Sequence, residues 1–535
     1  MVSTSCRRGA WLLPLALAAG AAPAVGQRPT DFSPTDRRLV AALESYIPHI
    51  IRQNGTPGLN IAVASHGRLI WERGFGLANL ATRAPMTPAT VMHSGSMGKT
   101  YTATAVMQLV EQGVLGLYEP INRYLKGFQI INPLGDREIT VFDLLTHRSG
   151  LSGNTAGSHF AIPAPLREFI PAGYRRTHFE WYQETALPLW THKVGEQFDY
   201  SNFGLATLGY LVEVTNPEGL SFSDYVRRHI MEPLSMTSSR FPPVQETPWI
   251  PKEIADRMST GYAAFGPVAL PTPTIYFADY PAGTVVTTPG DHIRLLMAYL
   301  NGGELDGHRI LKPETVRLML SPKVTFSVQG REPSPLTSSG VGLIWLVNNA
   351  GKPDEYFSHA GAHMFGWYND ARAYPRRSLA VVVASNAWDM VAASPAVYQR
   401  IMDFVHTWLA NESVSAVRAP APASWAWKTS YVIGLMMAER LRGYLGIPEP
   451  ITDAMIETMA TGAIVRAERE NGEPVWDAEA FRLGMRDMRA VPMTREAIRE
   501  FLASERVRVG PEEIRILYHE LGGRGEFPVP IEVFF

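Results

Sequence analysis

The chain has 535 residues, 46% hydrophobic and 19% charged, the balance of a folded globular protein with room for a large core. Its 49 basic and 51 acidic residues leave a formal net charge of -2, which gives no electrostatic case for nucleic acid or an anionic membrane as partner. The single cysteine is Cys6, so the chain beyond it can use neither disulfides, nor a catalytic thiolate, nor cysteine-bound zinc.

Arg7 and Arg8 precede an apolar stretch from Trp11 to Val25, and Ala24-Val25-Gly26 has a small-x-small cleavage pattern. The stretch is shorter than the roughly 20 residues of a membrane span. Residues 1–26 therefore read as a signal peptide, and the protein as exported, periplasmic or secreted, with no integral span in the mature chain. An anchor that is never cleaved is the competing reading.

Residues 37–52 read as a helix, and residues 59–76 as two strands joined at His66-Gly67. After Ser96, Ala103, Val106, Met107 and Val110 fall at i, i+3, i+4, i+7, one apolar face of a helix that Gly113 can end. Residues 114–260 hold short helices and loops, with helical patterns at 201–215 and 222–234. The Pro- and aromatic-rich stretch 264–283 reads as a long loop, and two helices follow it. Strands separated by turns are expected at 341–349, 355–361, 363–370 and 378–387, then a closing helix at 394–410. The expected fold class is α/β of the α+β type: an antiparallel sheet assembled from both ends, flanked by helices, with an inserted all-α region. Residues 411–424 are a Pro/Ala/Ser linker. Residues 425–535 read as a mostly helical C-terminal domain, a candidate for interaction or oligomerisation; the sequence leaves its role and the oligomeric state open.

The stretch "HSGSMGKT" (93–100) admits two chemistries. Gly98-Lys99-Thr100 ends like a phosphate-binding loop, but that motif needs Gly where His93 stands and a buried strand where "ATRAPMTPAT" stands. Ser96 and Lys99 are instead an S-x-x-K pair. In the first helical turn their side chains share a face, the helix N-terminus suits a developing oxyanion, and a desolvated lysine can serve as base. Spacing alone favours the plainer reading, with Ser96 as N-cap and Lys99 as a solvated helix lysine.

The surrounding sequence reverses that preference. "SGSMGKTYTATAVMQLVEQGVLGLYEPINRYL", "ITVFDLLTHRSGLSG" (139–153), "GEQFDYSNFGLATLGYLVE" (195–213), "PAGTVVTTPGDHIRLLMAYLNGG" and "FSHAGAHMFGWYND" resemble, in order, the signatures of the serine β-lactamase/penicillin-binding protein family. The resemblance is to its class C β-lactamase and D,D-carboxypeptidase-like branch, and it runs from about residue 40 to 410. It implies a β-lactamase/transpeptidase-like fold and a serine hydrolase working through an acyl-enzyme. By resemblance, Ser96 is the nucleophile, and Lys99 and Tyr200 of Tyr200-Ser201-Asn202 share the proton transfers, with the base unassigned between them. Asn202 would hold Lys99 and bind a substrate carbonyl, though it could also cap the helix that follows. The N–H groups of Ser96 and Ala362 would form the oxyanion hole, with Gly361 allowing close approach of the substrate.

His359-Ala360-Gly361 departs from the K-T-G pattern of most β-lactamases. A neutral histidine is a poorer carboxylate anchor than an ammonium, so a peptide-like amide or an ester is favoured over a β-lactam. A binding or sensor module that acylates with little turnover would carry the same motifs. His147 and Arg148 are less defined, and Arg148 reads as a surface arginine ahead of a pocket residue. Tyr276, Phe277 and Tyr280 could wall the cleft or simply pack. The expected partner is a small-molecule or peptide substrate. No metal-ligand motif stands out, and no cofactor is implied.

Overall fold

The computed structural model describes residues 33–415, apart from 54–55, 153–164, 176–177, 182–184, 243–249, 266–267, 273–276, 325–339, 364–365 and 390–396. The expected signal peptide, most of the linker and the C-terminal region lie outside the described residues.

One eight-stranded sheet organises the fold. Its strands are β1 (Gly58–Ser65), β2 (Arg68–Asn79), β3 (Ala84–Pro85), β4 (Gly340–Val341), β5 (Leu346–Asn348), β6 (Tyr356–His363), β7 (Trp367–Tyr374) and β8 (Leu379–Ser385). The helices that matter here are α1 (Pro34–Gln53), α2 (Gly98–Glu111), α3 (Val141–Leu145), α4 (Asn202–Thr215), α5 (Pro289–Leu300) and α6 (Val397–Ser415). The strand order is β4-β5-β6-β7-β8-β1-β2-β3, antiparallel throughout. The sheet is thus assembled from both ends of the described chain, as expected, with a largely helical region inserted between β3 and β4; that region is not all-α as expected, because His178–Trp181 and Thr185–Pro188 pair antiparallel within it.

The seam is β8 against β1, from Leu59 opposite Ser385 to Ser65 opposite Leu379. All eight residues of β1 are buried, so this strand must lie inside the sheet and carry apolar side chains on both faces. Alternation sorts them. Leu59, Ile61 and Val63 join Leu43, Ile47, Ile401 and Val405 of α1 and α6 in an outer core, where Tyr46 and Phe404 stack at 4.4 Å. Ala62 and Ala64 face the larger inner core with Ile293 and Leu296 of α5. Alanine on that face lets the helix approach the sheet closely.

Two further expectations change. The stretch 264–283 is not one long loop. Gly261–Phe265 and Val268–Thr272 pair antiparallel, and Ala387–Asp389 adds in parallel to the first. The prolines disguised this small sheet, because the second strand is short and ends on Pro271-Thr272. The helix expected at 394–410 runs on to Ser415, into the expected linker. No glycine or proline interrupts the sequence before Pro420, so nothing stops it earlier.

Candidate active site

Ser96 sits in a single 3-10 turn, Gly95–Met97, that runs directly into α2. The helix is buried on every side from Gly98 to Leu109, not along one apolar stripe, and Val110 is only half-buried. Its hydroxyls are satisfied within the helix and across the fold: Thr100 Oγ1 donates to Met97 O, Thr104 Oγ1 to Thr100 O and Thr102 Oγ1 to Pro281 O. Packing on all sides fixes the register of the helix start and so the direction of Lys99.

Lys99 is fully buried. Its Nζ lies 2.9 Å from Ser96 Oγ and donates to Ala282 O at 2.6 Å. It also lies 4.8 Å from the centre of the Tyr200 ring. Loss of hydration brings its pKa down to about 7, opposed by the nearby Asp279 carboxylate. Burial in turn raises Asp279, and Lys99 opposes that rise. The solvated-lysine reading of Lys99 is therefore wrong.

Tyr200 precedes α4, and its phenol interacts with the Ser96 side chain. Burial pushes that phenol above the ordinary tyrosine range, so the neutral phenol is favoured over the phenolate. The N-cap of α4 is Ser201, whose Oγ accepts from Gly204 N–H at 3.1 Å. Asn202 is therefore not the cap. Nor does its Oδ1 hold Lys99: that atom is buried with no hydrogen-bond partner among the described residues, and the lysine is held by Ser96 and Ala282 instead.

β6 closes the opposite side. Gly361 lies so close to the serine turn that a Cβ there would stand 1.9 Å from Ser94 O. Gly95, at φ 55, meets the same strand, and its Cβ would be 2.6 Å from Ala362 N. The two glycines let the backbone of β6 lie against the Ser96 turn, which brings the N–H groups of Ser96 and Ala362 into one region. His359 is buried, with its Nδ1 2.7 Å from Ala360 O. Burial, with Lys99 nearby, holds its pKa near the bottom of the range, at about 3, so the ring is neutral.

Arg148 is not a surface arginine. It is half-buried, and its guanidinium donates to Gly195 O while its own carbonyl accepts from Gly195 N–H at 2.7 Å. His147 is buried, with its ring 4.3 Å from that of Tyr200. Of the three loop aromatics, Tyr280 packs in the inner core, Phe277 lies 5.0 Å from the His363 ring, and Tyr276 is outside the described residues. Asp279 and the Ala282 carbonyl were missed by sequence reasoning. A backbone carbonyl has no sequence signature, and Asp279 stands in "FADYPAG" with nothing to distinguish it from a turn residue. No helix among the described residues is long and apolar enough to cross a membrane.

An antiparallel sheet with a helical insertion, whose first inserted helix carries S-x-x-K, is the architecture of the β-lactamase/transpeptidase fold. A family model described as Beta-lactamase matches residues 39–404, more than half of the chain, and the protein belongs to that family of serine hydrolases. An uncharacterized protein of Mycobacterium tuberculosis is 27% identical over 339 residues, covering 56% of this chain and 79% of its own. The D-amino acid amidase of Ochrobactrum anthropi shares the fold with a TM-score of 0.55 at 21% identity, over 71% of this chain and 100% of that one. A penicillin-binding protein homologue from Pyrococcus abyssi shares it at 0.54 and 24% identity, over 68% of this chain and 77% of that one.

Proposed function

We propose that the protein is an exported serine hydrolase that cleaves an amide or ester bond of a peptide-like substrate through an acyl-enzyme on Ser96. The observation that carries this reading is the fully buried Lys99 amine 2.9 Å from Ser96 Oγ, with a pKa brought down to about 7. A neutral amine at that distance accepts the serine proton as Oγ attacks the acyl carbon. Charge then develops on the carbonyl oxygen, and the N–H groups of Ser96 and Ala362 receive it. The neutral Tyr200 phenol relays a proton to the leaving amine or alkoxide as the scissile bond breaks. Water attacks the ester, with Lys99 again the acceptor, and Ser96 is regenerated.

The third motif supports a substrate without a carboxylate at the reacting end. His359 is neutral, and Arg148 turns one end of its guanidinium onto Gly195 O. Asn202 Oδ1, buried and unpartnered among the described residues, is suited to accept an amide N–H from a peptide-like substrate. The D-amino acid amidase similarity makes D-residue amides worth including among the candidates.

The test is a substrate panel run on wild type and Ser96→Ala: p-nitrophenyl butyrate, a D-Ala-D-Ala peptide, D-amino acid amides, linear L-peptides, a linearised cyclic peptide and a chromogenic cephalosporin. Hydrolysis of an ester or amide member, lost in Ser96→Ala, supports the reading. A stable acyl adduct by intact mass with no turnover would replace it with the binding or sensor role. No adduct and no turnover in a folded protein would refute both.

A further inference from the structure

We propose that His147 is a positioning residue for this reaction: it pins the backbone on both sides of Tyr200 and braces the phenol with its ring. The inference rests on the Ser96 hydrolase reading and adds to it a residue that lies outside the three motifs.

His147 follows α3 and has φ 54, a left-handed conformation uncommon for a residue with a side chain. That turn lets one residue act twice on the same segment. Its carbonyl accepts from Asp199 N–H at 2.7 Å, and its Nδ1 accepts from Ser201 N–H at 3.0 Å. The two bonds bracket Tyr200. Ser201 is then fixed from both directions, because its Oγ also caps α4 through Gly204 N–H. Asn202, the next residue, inherits that placement.

The ring completes the arrangement. It lies 4.3 Å from the Tyr200 ring, with the planes inclined by 33°. Phe198 meets the His147 ring edge-on at 5.6 Å. Because Nδ1 accepts, the proton sits on Nε2. Burial, with Lys99 and His359 as neighbours, keeps the ring neutral, so its role is to hold and not to titrate. The neighbouring turn extends the same clamp: Arg148 O accepts from Gly195 N–H at 2.7 Å and Gly150 O from Thr191 N–H at 3.0 Å. This gives the sequence "LTHRSG" a physical task, which is to hold the loop that delivers Tyr200.

The experiment compares wild type, Ser96→Ala, His147→Asn and His147→Ala with an ethyl ester and a D-amino acid amide, whose leaving groups need the proton that Tyr200 delivers, alongside thermal melts. Asparagine tolerates the left-handed conformation and offers Oδ1 to Ser201 N–H, so His147→Asn is expected to fold and to keep the backbone bond while losing the ring. The expected result is a fall in kcat of at least tenfold in His147→Ala, with KM within twofold. His147→Asn should recover at least threefold of that loss. Wild-type kcat in both folded variants, or a loss confined to KM, would overturn the proposal. So would a His147→Asn no more active than His147→Ala. Absence of Ser96-dependent turnover in the wild type would instead sink the hydrolase reading itself.

Discussion

Gly361→Ala isolates the contact on which the proposed oxyanion hole depends. The new Cβ would stand 1.9 Å from Ser94 O and 2.9 Å from Met97 N, both backbone atoms that no rotamer change can move. Reaching the 3.4 Å of an ordinary contact requires β6 and the serine turn to separate by about 1.5 Å. The N–H of Ala362, one residue further along β6, moves with the strand, away from the N–H of Ser96. Loss of one such donor costs about 100- to 1,000-fold in kcat, roughly 3–4 kcal/mol. The overpacking itself should cost about 1–3 kcal/mol of stability. Stopped-flow kinetics with p-nitrophenyl butyrate, paired with urea denaturation, separates the two effects. Ala360→Gly serves as control, since Ala360 packs on the outer core. A folded Gly361→Ala enzyme with kcat within threefold of wild type would show that the strand's close approach does not serve catalysis.

Other outcomes follow from the same geometry. Lys99 must lose its proton to act as base, so kcat/KM should rise with pH to a plateau, with its midpoint near the lysine's value of about 7. Tyr200 lies above the ordinary range, so the phenol should add no second inflection below about pH 10, and a fall between 8 and 9 would contradict its neutral role. Asp279 raises the lysine, so Asp279→Asn should move the acid limb to lower pH, and an unmoved limb would remove that carboxylate from the site's electrostatics. Phe404→Ala, on the far side of the sheet, should cost about 3–5 kcal/mol in urea denaturation while leaving kcat of the folded enzyme unchanged. A cost under about 1 kcal/mol would mean the stack with Tyr46 does not hold α1 to α6.

Much of the sheet was legible because its signals are local. Leu59, Ile61 and Val63 alternate with Asn60, Ala62 and Ala64, and His66-Gly67 marks the turn, so β1 and β2 could be placed from the sequence. The hairpin at 261–272 was not legible, because prolines at 267, 271 and 273 carry the same signature in a loop as beside a short strand. Ser96 and Lys99 were legible as a pair at helical spacing, but the spacing alone left the lysine solvated. Asn202 and Ser201 were confused because either can cap a helix, and only the hydrogen bond to Gly204 distinguishes them. Arg148 was placed on the surface by residue type, although its guanidinium closes the turn at Gly195.

The sequence by itself determined the order of the chemistry: a serine and lysine one turn apart, a tyrosine before a helix, and a glycine-bearing strand. These are patterns of a few consecutive residues, and local backbone geometry suffices to interpret them. Only the tertiary structure decided the state of each group. Burial of α2 on every side removes water from Lys99 and lowers its pKa, while burial of Tyr200 does the reverse to a phenol. Ala282 O and Asp279 reach the lysine from about 180 positions away, and His147 reaches Ser201 across 54. Desolvation and through-space contacts depend on what the whole fold places around a residue, so no window of sequence contains them.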